Sequence, residues 1–453
     1  MVQVSPFRAT LAKQDLVQNI VAPPYDVYDT AEAHQLGDSN PFSFVHIDHP
    51  EIDLDSQPTP DQKPSDCNYS TTDDGSYGDG ASASIIENRP LPTKSAKLAQ
   101  QSKLALDQFV SDGWLEETDV PHFYVYELTM EGRTQTGVVA LVSAQDYICG
   151  KIKTHETTRA AVETEMAERI KTTGYQASSV YLAHQPVSGL DQVLSEIKTF
   201  PAQYDFVSFH NVRHRFWLVP NDYNEVLERI FETQIDSLYI MDGHHRAAAA
   251  VKVSPQGKFM ATIFSLDQLK VWEYNRLVQS VPPANYLELL QRNFTLTNVS
   301  FEHAAPPAKH TIAMYYQRQW YHLRYFSHGQ KSILAGGEAQ KSIESDATGM
   351  KIVESTDILS NLDVEILQTQ IFEPIFGITE PRTDPRLTFV GGIEPVSSLT
   401  DPVDADASNL AFWLYPTSIS DVIAVADVGL DMPPKSTWFE PKLISGLFLV
   451  RQN

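Results

Sequence analysis

The sequence predicts an α+β protein with a larger domain over residues 1–285 and a smaller α+β domain over residues 286–453. Three observations lead there. A chain of 453 residues is long enough for two or three separate cores. An apolar fraction of 42% with 10% aromatics is ordinary for a soluble globular protein. Strand-like and helix-like runs succeed one another in mixed order, which sets aside a doubly wound parallel sheet.

Along the chain, "VAPPYDV" pairs Pro23 with Pro24, whose fixed φ holds Tyr25 and Asp26 in a rigid turn. "NPFSFVHID" places Phe42, Phe44 and Val45 as a half-buried strand would. From Asp55 to Ser82 no Val, Ile, Leu, Met, Phe or Trp occurs. Such a segment lacks the apolar surface to offset its ordering entropy, so a mobile surface insertion is expected. "KSAKLAQQSKLALDQFVSDGW" carries Leu98, Ala105, Leu106 and Phe109 at helical spacing and stops at Gly113. "HFYVYEL" and "QTGVVALV" flank "TMEGRT" as a hairpin.

"GKIKTHETTRAAVETEMAERIKTTG" reads as a strand end and then a helix from about Thr158 to Thr173, with Thr157 and Thr158 as caps. "HRFWLV" is a strand. "DSLYIMDGHHRAAAAVKV" reads as strand, loop and helix. Beyond residue 285 the strands "TIAMYY" and "WYHLRYF" precede a helix, "NLDVEILQTQIFEPIFG", closed by Pro374 and Gly377. The strand "AFWLY", the helix "ISDVIAVADVG" and the ending "MPPKSTWFEPKLISGLFLV" complete the second unit.

A net charge of −24 argues against nucleic acid or an anionic membrane as partner, while leaving room for a local basic pocket. Two cysteines, Cys67 and Cys149, are too few for a disulfide framework and fit a reducing, cytoplasmic setting. "MVQVSPFRAT" shows no secretory signal, and no apolar run approaches the roughly 18 residues of a membrane span.

Chemistry concentrates in "YIMDGHHR". Gly243 tolerates positive φ and close approach of a ligand. The helix beginning near His245 offers unpaired N–H groups and the positive end of its dipole to an anion. Arg246 can present a bidentate fork to phosphate, and Asp242 can bind Mg²⁺ or polarise a hydroxyl. The competing reading is an ordinary strand-to-helix connection capped by Asp242. Two histidines, His244 and His245, and an arginine exceed what a cap needs.

In "IKTHETT", Glu156 is either a helix-start acid favoured by the dipole or a general base, the second only if the fold brings it to the first loop. Zinc is disfavoured because adjacent histidines diverge and no H-E-x-x-H or paired C-x-x-C occurs. Neither a G-x-S-x-G elbow nor a Walker phosphate loop is present. Lys435, Ser436 and Thr437 form a turn into the last strand, with a phosphate contact as the alternative.

The stretches "VAPPYDV", "NPFSFVHI", "PEIDL", "TGVVALVSAQDY", "GKIKTHETT", "LYIMDGHHRAAAA", "NRLV", "LDVEILQ" and "MPPKSTWFEPKLISGL", in this order, resemble the bacterial family called domain of unknown function 1015. The resemblance runs from Pro6 to about Leu449. Its "DGHHR" loop is similar to the phosphate loop of the ParB and sulfiredoxin superfamily, which includes free-serine kinases. The resemblance implies a ParB/sulfiredoxin-like mixed α/β N-terminal domain that binds ATP or ADP with Mg²⁺. It gives Glu156 the role of base, Asp242 and His245 further catalytic roles, Gly243, His244, His245 and Arg246 the nucleotide phosphates, and Asp242 the metal. Family members usually carry "KPHE" and an Ala-Asn pair where this chain has "KTHE" and "TTGYQASS", changes that would alter a substrate pocket.

The expected function is a nucleotide-dependent phosphotransferase for a small hydroxylated amino acid such as serine. It would have no nucleic-acid or membrane partner, and homo-oligomerisation stays open. The alternatives are a nucleotide-sensing module without turnover and a phosphatase working at the same site. Fold analogy alone licenses none of these chemistries.

Overall fold

Tyr124–Met130 and Arg133–Ser143 pair antiparallel across Glu131 and Gly132, both at positive φ, as a tight two-residue hairpin turn requires. This hairpin lies in a computed structural model that describes residues 1–25, 27–55, 93–326 and 355–452. The insertion expected from Asp55 to Ser82 falls outside the described residues apart from the backbone of Asp55, as do Asp26 and Cys67. Contacts divide the chain into two units. One comprises residues 1–8, 119–163 and 179–443; the other comprises residues 9–118, 164–178 and 444–453.

Among the described residues the larger unit holds two large sheets and a two-stranded one that pairs Val271–Trp272 with Trp438–Phe439, and the α+β class is what the chain adopts. The first is a mixed nine-stranded sheet. Its path runs Ile152–Lys153, Leu238–Asp242, Val180–His184, Lys258–Ser265, Arg133–Ser143, Tyr124–Met130, Arg213–Leu218 and Tyr204–Val207, with Val4–Ser5 joined to Arg133–Ser143. The run "GVVALV" sits mid-sheet with Val138, Val139, Ala140 and Val142 buried and Leu141 half-buried, so both faces are largely covered, as an uninterrupted apolar strand should be. Each of the buried valines contributes roughly 1.5–3 kcal/mol. The second sheet is antiparallel throughout, in the order Phe294–Val299, Gln319–Tyr325, Thr311–Tyr316, Asn409–Trp413, Tyr274–Gln279 and Leu387–Gly391. Leu277, Trp320, Leu399 and Ala411 belong to its core. The boundary expected near residue 285 lies inside this unit, after the strand Tyr274–Gln279 has already entered the second sheet.

The smaller unit contains the helix Lys94–Ser111 and a four-stranded sheet in the order Leu115–Glu117, Ala9–Ala12, Phe448–Arg451 and Tyr175–Gln176. The last strand of the chain therefore pairs with one of the first, rather than closing the second α+β unit as its position in sequence suggested. "NPFSFVHID" is also not a strand. Val45–Asp48 is a short helix, because Phe44, Val45 and Ile47 are buried together and Ser102 of the long helix donates to the Ile47 carbonyl. Apolar positions at 44, 45 and 47 fit either period over so short a run, and tertiary packing decides.

The run "NLDVEILQTQIFEPIFG" gives Asp363–Leu367 as α-helix and Gln368–Phe376 as π-helix, with Pro374 inside and Gly377 as C-cap. The wider π turn accommodates a proline where an α-helix would clash. Among the described residues no helix is long and apolar enough to cross a membrane.

Candidate functional site

Strand pairing explains why two loops distant in sequence meet. Leu238–Asp242 is parallel to Ile152–Lys153 on one side and antiparallel to Val180–His184 on the other. Parallel neighbours deliver their succeeding loops to the same edge of a sheet, so His155–Arg159 and Gly243–Arg246 emerge side by side. Pairing with Val180–His184 shifts register between Ile240 and Asp242, and such an irregularity re-aims the side chain at the strand's end.

Gly243 then takes φ 91° and ψ 30° and opens the helix His244–Val253 with no side-chain cap. A Cβ here would stand 2.9 Å from Arg246 Nε. Both the left-handed backbone and the close approach require glycine. Ala247, Ala249 and Ala250 are buried behind the loop, where larger side chains would hold the helix away from the sheet.

The paired histidines have a use that composition does not reveal. Successive helical side chains diverge, and these two catch two amides of the other loop. His155 N–H donates to His244 Nε2 at 3.4 Å, and Arg159 N–H donates to His245 Nε2 at 3.0 Å. An amide is only a donor, so both Nε2 atoms are unprotonated. Burial, reinforced by neighbouring positive charge, lowers the pKa of both rings below the ordinary histidine value, so each is neutral with its proton on Nδ1. In His244 that Nδ1 lies 3.8 Å from Glu156 Oε2. The His155 ring packs edge-on against His244 at 4.6 Å, and its own pKa falls to about 4 through burial. Its Nε2 is 3.5 Å from Thr437 Oγ1, and its carbonyl accepts from Met432 N–H at 2.8 Å.

Asp242 is held between two cations. Arg246 Nη2 donates to Oδ2 at 2.5 Å, and Lys442 Nζ donates to Oδ1 at 3.3 Å. Burial alone would raise this carboxyl's pKa, but the Lys442 and Arg246 charges hold it well below the usual carboxylate range. Arg246 Nη1 donates to the Ser179 carbonyl at 2.5 Å. The fork expected to meet phosphate is thus engaged within the protein, one arm on the strand end and one on the "QASS" stretch.

Glu156 is not a helix-start acid. The helix begins at Ala160, and Glu156 lies in the loop before it. Thr157, expected as a cap, donates to Asp431, and Thr158 donates to Glu163. Burial raises the Glu156 pKa above the ordinary glutamate value against the opposing pull of Lys435, Arg382 and Lys442. A carboxylate poised upward in this way is suited to accepting a proton.

Lys435 occupies a turn at φ 56° just before the short strand Trp438–Phe439, so the "PPKST" stretch is a turn whose charge reaches the site. In a chain of net charge −24, Lys435, Arg382, Lys442 and Arg246 make one local concentration of positive charge. Beside the uncapped first turn of a helix, that arrangement favours an anion.

All six sequence-predicted residues, Glu156, Asp242, Gly243, His244, His245 and Arg246, therefore stand together. Sequence reasoning missed Lys442, Arg382 and Asp431. Lys442 was legible only as part of "FEPKL", because no spacing rule links it to a carboxylate 200 positions away. Among the described residues no group of three His, Cys, Asp or Glu side chains could hold a metal ion. With both Asp242 oxygens facing cations, the residues present do not fit a Mg²⁺ ligand set.

A family model described as "Protein of unknown function (DUF1015)" matches residues 4–72 and 83–365. Its interruption falls within the expected insertion, and it ends before "MPPKSTWFEPKLISGL". No curated protein matches the chain. Solved structures with detectable similarity include a free serine kinase in complex with AMP, at 13% identity and TM-score 0.32, covering 66% of this chain and 86% of that one. A free serine kinase variant in complex with ADP is similar at 12% identity and TM-score 0.34, with 66% and 87% covered. A conserved hypothetical protein from Pyrococcus furiosus matches at 13% identity and TM-score 0.30, with 66% and 90% covered. Likeness at this level transfers no ligand to the present chain.

Proposed function

The chain belongs to the DUF1015 family, whose description assigns no activity, and from the site itself we propose a nucleotide-dependent phosphotransferase acting on a small hydroxylated amino acid such as serine. The observation that carries this is the placement of Glu156, a carboxylate of raised pKa 3.8 Å from His244, beside the uncapped helix start and within the field of Lys435, Arg382 and Lys442. Phosphoryl transfer needs little more than positioning and charge stabilisation, with a base for the attacking hydroxyl.

In this proposal the first-turn amides after Gly243 and the lysines seat the phosphates of ATP or ADP. The hydroxyl oxygen bonds to the terminal phosphorus while its proton passes to Glu156. The bond from that phosphorus to the bridging oxygen breaks, and the shortened nucleotide leaves. Asp242 fixes Lys442 beside the phosphates and Arg246 braces Asp242. His244 and His245 hold the glutamate loop against the phosphate loop. No step is routed through a metal ion. The nucleotide-binding part is formed within residues 1–285 with Lys435 and Lys442 added from the later part of the chain, and the setting is cytoplasmic.

Titrating the protein with ATP, ADP and CTP by calorimetry, then following phosphoserine formation with Mg²⁺ or with a chelator, tests the proposal. Binding succeeded by phosphoserine is expected. Binding without transfer to any hydroxy amino acid would leave a nucleotide sensor, the alternative favoured by the engagement of Arg246 with Asp242 and Ser179. Absence of binding removes both.

A further inference from the structure

The "NRLV" stretch in the six-stranded sheet carries part of the family resemblance but has no part in the chemistry above. Its arginine is buried, with 4% of its surface exposed, in the strand Tyr274–Gln279. Arg276 faces four carbonyls: Nη1 donates to Tyr274 at 2.8 Å and Asn275 at 3.2 Å, while Nη2 donates to Pro434 at 3.0 Å and Lys435 at 2.9 Å. The guanidinium also lies over the Phe389 ring at 4.4 Å. Among the described residues no carboxylate forms an ion pair with it, although burying an arginine is costly. A packing role would not call for a full positive charge.

What that charge grips is the turn that presents Lys435. Lys435 has φ 56°, a left-handed conformation that a non-glycine residue adopts only when its surroundings impose it. Two further hydrogen bonds close the turn: Ser436 Oγ donates to the Pro433 carbonyl at 2.6 Å, and Thr417 Oγ1 donates to the Ser436 carbonyl at 2.9 Å. Lys435 Nζ lies 5.5 Å from the Tyr274 ring centroid, on the strand that carries Arg276. The Lys435 charge acts on both Glu156 and His245.

We infer that Arg276 is a positioning residue of the candidate site, gripping the Pro434 and Lys435 carbonyls so that the six-stranded sheet aims the Lys435 ammonium at Glu156. The chain of contacts runs from a strand paired on both sides in the sheet, through a planar fork on two successive carbonyls, to a lysine in a strained turn. Lysine could not replace this arginine, because its ammonium offers no planar fork to two fixed acceptors. The inference rests on the proposed phosphotransferase only for what Lys435 does there; the geometry stands without it.

The test is the titration of Glu156 in nucleotide-free protein, read by carbon-13 NMR with glutamate labelled at its carboxyl. The Glu156 resonance is the one absent in Glu156→Gln. Its carboxyl faces Lys435, Arg382, Lys442, Asp242 and His244, and Lys435 acts to lower its pKa. Lys435→Met should therefore raise the midpoint, by on the order of one unit. Arg276→Lys should raise it comparably, and the double variant should add nothing beyond Lys435→Met alone, as expected for two residues acting in series.

A folded Arg276→Lys protein in which Glu156 titrates as in the parent overturns the inference. So does failure of both Arg276→Lys and Arg276→Gln to fold while Lys435→Met folds, which would make the arginine purely structural. Because no nucleotide or turnover enters the measurement, failure of the proposed activity leaves this result unaffected.

Discussion

At the residue scale, Glu156 and Arg246 separate binding from chemistry. Glu156→Gln keeps shape and removes basicity, so nucleotide affinity should persist while transfer to serine falls about 10²–10⁴-fold. The acid limb of kcat/KM should lie above the ordinary glutamate range, because the base works only when deprotonated and burial raises its pKa. Arg246→Ala should instead strip one cation from half-buried Asp242 and one donor from the Ser179 carbonyl. Because Asp242 keeps Lys442, the signature is a loss of roughly 1.5–3 kcal/mol in stability, read from the urea midpoint, alongside a loss of affinity. His245 distinguishes holding from proton transfer. Its Nε2 is occupied by the Arg159 amide, and a glutamine oxygen can accept the same bond. His245→Gln should therefore keep turnover within about tenfold of the parent, whereas a proton-transferring histidine would lose about 10²–10⁴-fold in either the Gln or the Ala variant. Steady-state rates for the two variants decide.

At the scale of elements, the strand-turn-helix around Gly243 was legible because every local signal agreed: an apolar run, a glycine, then alanines. Gly243→Ala is predicted to cost about 1–3 kcal/mol, from the positive φ and from a Cβ 2.9 Å from Arg246 Nε. Denaturant unfolding at constant m-value measures this; a loss below about 0.5 kcal/mol would show that the loop relaxes freely. Elements whose identity depends on distant packing were less legible. "NPFSFVHID" satisfies either period, and only burial with the Lys94–Ser111 helix makes Val45–Asp48 helical. The partnership of Glu156 with His244 could be posed but not decided from sequence, because it depends on Ile152–Lys153 and Leu238–Asp242 being parallel neighbours. Lys442 and Arg276 were harder still. A cation that reaches a carboxylate or carbonyls more than 150 positions away leaves no periodicity or motif spacing behind.

At the scale of the whole molecule, neutral histidines and carboxyls raised by burial, Asp363 together with Glu156, Glu365 and Glu440, set opposing pH dependences. Burial lowers the pKa of His155 to about 4 and of His214 to about 3, and His244 is lowered as well. His214 sits between Tyr126 OH at 2.6 Å and Ser208 Oγ at 2.7 Å, satisfied without a proton from solvent. Below about pH 6.5 the unfolded chain takes up protons that these native rings refuse, so stability is present above that pH and is lost as pH falls toward the folded values. Asp363 works the other way. Burial raises its carboxyl to about 6, with one oxygen accepting from His310 N–H at 2.8 Å and the other buried without a hydrogen-bond partner among the described residues. The native state binds this proton more tightly than the unfolded chain, so its stabilisation is present below about pH 4 and lost as pH rises through 6. Each group changes stability by at most about 1.4 kcal/mol per pH unit within its window. From pH 7 to pH 5 the histidines outweigh the aspartate, and the urea midpoint should fall by the equivalent of a few kcal/mol. Asp363→Asn isolates the opposing member. Its side-chain oxygen can still accept from His310, but no charge is buried at neutral pH. The substitution should raise the midpoint at pH 7, raise it by about half as much at pH 5, where the unfolded carboxyl is already ionised, and leave it nearly unchanged only below about pH 4. Equal destabilisation at both values would mean that the unpartnered oxygen requires an O–H donor rather than the removal of charge.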